Sequence, residues 1–557
     1  MQNPQDTISF AVTSLMAFGV VCLPWVTWGL SEISLVFYRR TVVRSMRAAE
    51  APLDVASSLA PPSAAEPRVV DLQVQTANET FVTTSVGGNA LLGEVRRAMR
   101  DATKIYTAAG LVYAAVMALA FGLRFQALAP GPLLFLGIAF AWPLVLTALL
   151  IAAPARRWRI AIVIGYWILF FTSAAQTMPE NGHMPFFLAN IGATIAALVV
   201  RARRVRAVAP LVGAFLTLLG VTIIVAIGVA AAAGQRPAQG APLGGLASFA
   251  LLLAVLALIV AGPVGGWLTL RWLARWYAEK RTSDQSIAIA AIWLIFAGVH
   301  GATFAYDDLR WMSIGFLAFA GFLLATAMGF RALRRRSGGS SGPRLLVLRV
   351  FALGRRSRRL FDRLATRWRH IGSVQLIAGP DLASSTVEPH EFFDFLRRRL
   401  AGRFLESRQS IESALADLDT APDHDGRYRI TDFFCRDTAW RTVFGRLAAG
   451  ADVVLMDLRG FSSENCGCTY ELGELLNLVP LDRIAIVIDR HTDDRFLAQT
   501  IEHASARISS SSPNEGTAAI RVRAFRETGW RGLDPDRLLR LLCDTVAQPH
   551  AAVARAS

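Results

Sequence analysis

Apolar runs of about 20 residues recur along the first 330 positions of the chain, separated by short polar segments. A helix of that length crosses the hydrocarbon core of a bilayer. The pattern predicts nine transmembrane helices, over residues 8–30, 106–128, 132–153, 160–178, 185–200, 208–233, 246–270, 286–305 and 311–330. The seventh contains Gly262-Pro263, where we expect a kink because proline removes a backbone hydrogen-bond donor.

Basic residues in the connecting segments indicate how these helices are oriented. Arginine clusters follow every odd-numbered span, whereas the loops after the even-numbered spans contain almost no Lys or Arg. Cytoplasmic loops of membrane proteins are enriched in these two residue types, so the pattern predicts an external N-terminus and a cytoplasmic C-terminus. Heavy use of arginine and alanine, with very few lysines, is typical of GC-rich bacterial genomes. We therefore expect a multi-pass protein of the bacterial inner membrane, in contact with the lipid bilayer.

The polar segments divide the chain into five parts. They are a first transmembrane helix (1–30), a cytoplasmic loop (31–104), an eight-helix transmembrane region (105–330), a linker (331–343) and a cytoplasmic domain (344–557). Within the long loop, a strand-like alternation begins at Arg68, and an amphipathic helix that leads into the second span is predicted over Leu91–Lys104. This loop is either a small docking element for the cytoplasmic domain or an unstructured segment.

Short apolar runs alternate with amphipathic segments after residue 343. Strands are predicted over Leu345–Phe351, Val374–Ala378, Tyr428–Cys435, Asp452–Asp457, Ile484–Asp489 and Ala518–Phe525. Helices are predicted over Arg358–His370, Glu391–Phe404, Thr438–Ala449, Asn465–Leu478 and Leu533–Val546. Apolar strands that alternate with helices indicate a parallel sheet covered on both faces. The predicted fold is an all-α polytopic membrane domain followed by an α/β doubly wound domain, flavodoxin- or Rossmann-like, with five or six strands. Its ligand crevice would lie at the carboxyl ends of the strands.

Composition and motifs argue against several functions. The formal net charge is +16, which in a soluble protein would suggest nucleic acid. Many of the arginines lie in short loops where they set topology, so no nucleic-acid partner is predicted. The five cysteines match no zinc-site spacing, and no metal is expected. The sequence contains no Walker-type, dinucleotide-binding or metalloprotease motif, which argues against an ATPase and a classical dinucleotide oxidoreductase.

Ionisable residues are scarce at the predicted membrane depth. Between Lys104 and Arg331 all acidic residues fall in predicted loops, whereas proton- and cation-coupled transporters usually keep an ionisable group within the bilayer. His300 lies near the outer end of the eighth span, and we expect it to be solvated beside Asp307 rather than to be a pH sensor. Asn190 is expected to join helices by hydrogen bonding rather than to bind a ligand.

The sequence LRGFSSENCGCTYEL follows the predicted strand DVVLMD. It resembles the Toll/interleukin-1 receptor (TIR) family, in which a strand leads to a serine-rich loop and then to a helix that opens Ser-x-Trp-Cys-x-x-Glu-Leu. Cys468, Glu471 and Leu472 match that helix, and Ser462 and Ser463 occupy the loop.

Two positions depart from the family pattern: Gly467 stands where the family has Trp, and Asn465 where it has Ser. The resemblance covers residues 435–490. Over 344–434 the chain shares only the order of strands and helices, with an extra strand and helix. The chain is thus similar to a bacterial multi-pass membrane protein with a TIR-like cytoplasmic domain.

Catalytic TIR domains cleave the nicotinamide–ribose bond of NAD with the helix glutamate. The resemblance therefore implies that Glu471 is catalytic and that NAD is a substrate, with no bound cofactor. A carboxylate near the ribose stabilises the positive charge of an oxocarbenium-like transition state. Arginines at strand ends would hold the pyrophosphate, and an aspartate would bind a ribose hydroxyl. The ligand-binding candidates are Arg355, Arg356, Arg436, Asp457, Ser462 and Cys468.

Each candidate also has a structural explanation. Glu471 could be a helix-surface carboxylate or a cap partner, and Asp457 and Asp489 could cap loops. Cys466 and Cys468 could pack, although a redox or metal-binding pair is the alternative. The arginines from 355 to 359 could face lipid headgroups or acidic partners.

We consider three functions. The first is a bacterial inner-membrane sensor or signalling protein, whose TIR-like domain either cleaves NAD or self-associates into a homo-oligomer. The second is a transporter or channel with a cytoplasmic regulatory domain. The third is a non-enzymatic membrane scaffold.

Overall fold

The structure of the chain is a computed structural model. It describes residues 4–47, 69–76, 86–152, 156–177, 183–200, 205, 207–234, 245–304, 309–336, 341–349, 355–378, 387, 389–435, 439–517, 519–527 and 535–547. The chain divides into two compact units. Unit 1 comprises Met1–Tyr38, Met99–Ser337 and Val387–Phe393, and unit 2 comprises Arg39–Ala98, Gly338–Thr386 and Asp394–Ser557.

Long helices dominate the described residues before position 337. They are α1 (Pro4–Arg47), α2 (Val86–Arg124), α3 (Pro130–Phe140), α4 (Trp142–Ala152), α5 (Arg156–Thr177), α6 (Met184–Val200), α7 (Ala209–Gly234), α8 (Gly245–Ala278), α9 (Asp284–Phe304) and α10 (Ser313–Arg336). Within the described residues, six helices are long and apolar enough to cross a membrane, and the bent pair α3–α4 would make a seventh. This is the pattern of a membrane protein, and the count of nine spans stays a prediction.

The bend between α3 and α4 divides the predicted span 132–153. The two helices differ in direction by 41°. Pro143, in the first turn of α4, has no N–H to donate to the carbonyl of Ala139. That carbonyl instead accepts a hydrogen bond of 2.9 Å from the Asn190 amide of α6. The side-chain bond compensates for the missing helical bond, and it confirms that Asn190 joins helices.

Asn190 belongs to a buried polar chain within unit 1. His300 is 1% exposed, and its Nδ1 and Nε2 lie 3.0 Å from the Tyr113 hydroxyl and 3.1 Å from Asn190 Oδ1. An amide oxygen only accepts, so Nε2 carries the proton and Nδ1 accepts from Tyr113. The expectation of a solvated His300 is therefore wrong, because its helix turns the ring toward other helices; Asp307 lies outside the described residues.

Glycines allow close helix contacts in the same unit. A Cβ at Gly315 of α10 would overlap the backbone oxygen of Ala297 in α9. On α8, side chains at Gly262 and Gly266 would overlap residues of α7. The helix continues without a break through Pro263. The glycines on either side of this proline therefore allow α7 and α8 to pack closely.

The sheet lies in unit 2. Its strands are β1 (Val69–Thr76), β2 (Arg344–Arg349), β3 (Ser373–Ala378), β4 (Phe404–Leu405), β5 (Ile430–Cys435), β6 (Val453–Asp457), β7 (Ile484–Ile488) and β8 (Ala519–Arg526). The helices after β2 are α11 (Arg355–Trp368), α12 (Pro389–Leu396), α13 (Arg408–Ala416), α14 (Trp440–Gly450), α15 (Cys466–Leu478), α16 (Asp494–Ser505) and α17 (Pro535–Ala547).

All eight strands of this sheet are parallel, in the order β1-β8-β7-β6-β2-β3-β5-β4. The chain moves outward from β2 through β3, and then returns to place β6 on the other side of β2. The order of strands therefore reverses between β2 and β6. In doubly wound sheets, ligands bind at the carboxyl ends of the strands where the order reverses. Side chains of consecutive strand residues point to opposite faces of a sheet, and the four residues 345–348 of β2 are all buried. Both faces of the sheet are therefore covered here.

The sheet is larger than predicted. The predicted helix Glu391–Phe404 is wrong beyond Leu396, where α12 ends: Arg398 adopts a positive φ of 58°, which a helix does not tolerate, and Phe404 begins β4. The helices α13 and α16 were also missed.

The strand of the long loop is the largest addition. β1 pairs with β8 along all eight residues, from Val69 opposite Ala519 to Thr76 opposite Arg526. Val70 and Val74 pack against the core of unit 2, which explains the alternation in this segment. Residues 69–76 are therefore a strand of the sheet, and a docking role for the rest of the loop stays a prediction.

Candidate functional site

The β6–α15 connection lies at the reversal of strand order. All five residues of β6 are buried. The chain then turns through Gly460, whose φ of 69° favours glycine, and enters α15 at Cys466. One face of α15, which includes Cys468 and Leu472, packs into the core of unit 2. Glu471 lies about one turn after Cys468 and directly before Leu472, so its side chain is on the same buried side of the helix.

Glu471 is 3% exposed, and its Oε2 atom has no hydrogen-bond partner. Burial raises the pKa of this carboxyl from its usual 4.5 to about 8. The side chain is therefore mostly protonated at neutral pH. Its burial is inconsistent with the alternative of a helix-surface carboxylate. An acidic group buried without a partner is costly to keep, and such groups concentrate at functional sites.

Asp457, the predicted ribose ligand, is engaged by a neighbouring arginine. Both oxygens accept hydrogen bonds from Arg459, at 2.8 Å from Nε and 2.7 Å from Nη2. The remaining Arg459 nitrogen, Nη1, binds Glu527 at 2.8 Å. Asp457 and Arg459 are both buried, so this triad joins the ends of β6 and β8 with little competition from water. A role of Asp457 in ribose binding stays a prediction.

Asp489, after β7, holds the same connection from the other side. Its Oδ1 accepts hydrogen bonds from the backbone of Gly460 and His491, each at 3.0 Å. Thr492 adds a bond from its hydroxyl to the carbonyl of Leu458 at 3.0 Å. This geometry agrees with the interpretation of Asp489 as a loop cap. The chain leading to α15 is thus fixed at two points.

The start of α15 is held less firmly. Asn465 occupies the N-cap position but makes no capping hydrogen bond to the helix. Its side chain instead accepts the backbone N–H of Ser462 at 2.9 Å. Cys466 and Gly467 are exposed, whereas Cys468 is 2% exposed. Packing is therefore the observed role of Cys468, and Ser462 shapes the loop; ligand binding by either residue stays a prediction.

The three predicted arginine ligands are only partly described. Arg355 and Arg356 form the start of α11, and their side chains lie outside the described part of the structure. Arg436 lies outside the described residues altogether. Pyrophosphate binding by these residues stays a prediction.

An aromatic–arginine cluster (Trp440, Arg441 and Tyr470) lies between α14 and α15, and the sequence did not point to it. The rings of Trp440 and Tyr470 meet edge to face at 5.4 Å between centroids. The guanidinium of Arg441 lies 4.7 Å from the Tyr470 centroid and 5.7 Å from that of Trp440. The Trp-Arg pair and the tyrosine before Glu471 are visible in the sequence, but their contact depends on which helices are neighbours.

A separate cavity of about 330 Å³ lies in unit 2. It is lined by Glu406, Arg408, Ile411, Glu412, Ala439, Thr442 and Arg446. Its residues follow β4 and β5 at the carboxyl edge of the sheet. Glu471 does not line it, so the cavity is distinct from the predicted catalytic centre.

Comparison with known proteins adds no relative: no known family model, no curated protein and no solved structure matches this chain. In the described residues, no group of His, Cys, Asp or Glu is arranged to hold a metal ion.

Proposed function

We propose that this chain is a membrane-anchored signalling protein of the bacterial inner membrane, whose α/β domain cleaves the nicotinamide–ribose bond of NAD. The proposal includes nine spans, an external N-terminus and a cytoplasmic α/β domain. These three features rest on the alternation of arginine-rich and arginine-poor loops along the sequence. The single observation that supports the chemistry is Glu471, a buried carboxyl without a hydrogen-bond partner at the reversal of strand order.

The chemistry assigned to Glu471 depends on its ionised form. Cleavage breaks the bond between ribose C1′ and the pyridinium nitrogen, and neutral nicotinamide leaves with the bonding electron pair. Water adds to C1′ and loses a proton, which gives ADP-ribose. The Glu471 carboxylate stabilises the positive charge at C1′. Contact with substrate and water replaces the apolar surroundings that keep the carboxyl protonated, so its pKa falls as the site opens.

Nicotinamide release by the complete chain tests this function. The purified protein, reconstituted in phospholipid vesicles with its α/β domain facing outward, is incubated with NAD and products are separated by chromatography. We expect release by the parent and its loss in Glu471→Gln, which preserves the shape of the side chain. Glu474→Gln is the matched control, because Glu474 lies one turn later on α15 and is only half-buried.

Two results would contradict the proposal: no release by the parent across a wide range of protein density in the vesicles, or equal release by the parent and Glu471→Gln. In that case self-association is the remaining output. A density-dependent increase in cross-linking of the α/β domain, without NAD cleavage, would support that second function.

A further inference from the structure

Glu471 is enclosed in the described conformation. The residue is 3% exposed, and Cys468, one turn earlier on the same face of α15, is 2% exposed. A nucleotide must touch the carboxyl for Glu471 to act on it. The conformation described here is therefore closed, and catalysis at this site needs a movement that uncovers this face of the helix.

The weakest part of the enclosure is the beginning of α15. A helix N-terminus leaves backbone N–H groups without helical partners, and a side-chain cap normally satisfies one of them. Asn465 provides no such cap, and the second residue of the helix is glycine, which disfavours helix formation. Segments with few restraints open locally at low cost. We therefore expect Cys466–Tyr470 to open before the rest of α15.

The aromatic–arginine cluster restrains that same segment. Tyr470 directly precedes Glu471, and it is the cluster's only member on α15. Arg441 and Trp440 contact its ring from α14, at centroid distances of 4.7 and 5.4 Å. α14 itself is anchored by Val443 and Phe444 in the core of unit 2. When the start of α15 unwinds, these ring contacts break.

We propose that Cys466–Tyr470, at the start of α15, forms a gate that controls access to the Glu471 carboxyl, and that Arg441 holds this gate shut through Tyr470. The link to catalysis rests on the proposed function, whereas the gate is a property of the fold. The gate regulates access to Glu471: a partner or ligand that draws Arg441 away from Tyr470 opens the site. A phosphate group is one such competitor, because a guanidinium binds phosphate more strongly than an aromatic face.

Two cysteines in the gate allow a direct test without NAD. The complete protein in vesicles is treated with N-ethylmaleimide, and tandem mass spectrometry separates modification at Cys466 from that at Cys468. Exposed Cys466 reports reagent access, and buried Cys468 reports opening. We expect slow labelling of Cys468 in the parent and labelling roughly tenfold faster in Arg441→Ala, from loss of the cation–ring contacts. The rate at Cys466 should be unchanged.

Control variants separate the gate from general destabilisation. Arg446→Ala removes another exposed arginine of α14 and should leave the Cys468 rate at the parent value. Arg441→Lys keeps a cation over the ring and should restore most of the protection. Because Arg441 is exposed, its replacement leaves the core intact.

The outcomes distinguish this inference from the proposed function. Cys468 labelling as fast as that of Cys466 in the parent, or equal rates in Arg441→Ala and Arg446→Ala, would overturn the gate. Faster Cys468 labelling in Arg441→Ala without any NAD cleavage by that variant would leave the gate standing and overturn the proposed hydrolase.

Discussion

Replacing Glu471 by glutamine should stabilise the protein at neutral pH, although the change removes its predicted catalytic group. Burial raises the pKa of this carboxyl from 4.5 to about 8, so between these values the folded chain holds a proton that the unfolded chain has released. The stability that this proton contributes is fully present below pH 4.5 and is lost as the pH rises through 8.

The magnitude follows from the same two pKa values. At pH 7 the unfolded carboxyl is 2.5 pH units above its pKa of 4.5, and each unit corresponds to about 1.36 kcal/mol. The parent therefore carries a penalty of up to about 3 kcal/mol that an uncharged glutamine avoids. At pH 5 the penalty is below about 1 kcal/mol. For a domain of this size, the difference at pH 7 is roughly 6 to 12 °C in Tm.

Thermal unfolding in detergent between pH 5 and 8.5, followed by intrinsic fluorescence, measures this effect. The parent Tm should fall relative to that of Glu471→Gln as the pH rises, and Glu474→Gln should follow the parent. Parallel curves for the parent and Glu471→Gln would refute the reasoning, because they would mean that Glu471 titrates alike in the folded and unfolded chain.

Three further substitutions test the packing of the two units. Arg459→Met should lower the free energy of unfolding of unit 2 by about 3 to 5 kcal/mol in urea titration, because it removes the two hydrogen bonds and the positive charge that Arg459 provides to the buried Asp457 carboxylate; adding Asp457→Asn should recover part of the loss. Gly315→Ala should lower the Tm of unit 1, since its Cβ would overlap a backbone oxygen of α9, whereas Gly137→Ala, with open space around it, should not. Asn190→Ala should cost about 1 to 2 kcal/mol by removing the hydrogen bonds that Asn190 makes with the Ala139 carbonyl and with His300 Nε2; an unchanged Tm would contradict this role.

Local pattern was sufficient for most elements. The buried strands β6 and β7 and the helix α15 lie within one residue of their predicted bounds. A continuous apolar run or an amphipathic repeat can be recognised in consecutive residues without knowing which elements pack against it. The pattern failed at β4, a strand of two residues that is too short to show an alternation. By contrast, the helix predicted over Leu91–Lys104 does lead into the second span, and the single helix α2 covers both.

For the candidate site, the sequence supplied residue identity but not environment. Glu471 was selected by a motif, and its enclosure depends on how α15 lies on the sheet. Asp457 was placed correctly at a strand end, but its pairing with Arg459 and Glu527 requires β6 and β8 to end at the same edge. His300 was placed on the correct helix, and only the position of α2 and α6 showed that its ring is buried.

The sequence by itself determined that the chain has apolar helices of membrane-spanning length and a parallel α/β domain, because hydrophobic spacing is a local property of consecutive residues. Tertiary structure alone decided that residues 69–76 join the sheet, that Glu471 is buried, and that Arg441 contacts Tyr470. These features join positions far apart in the chain. Their pairing depends on which surfaces meet when the chain buries its apolar area, and that information is held by no single segment.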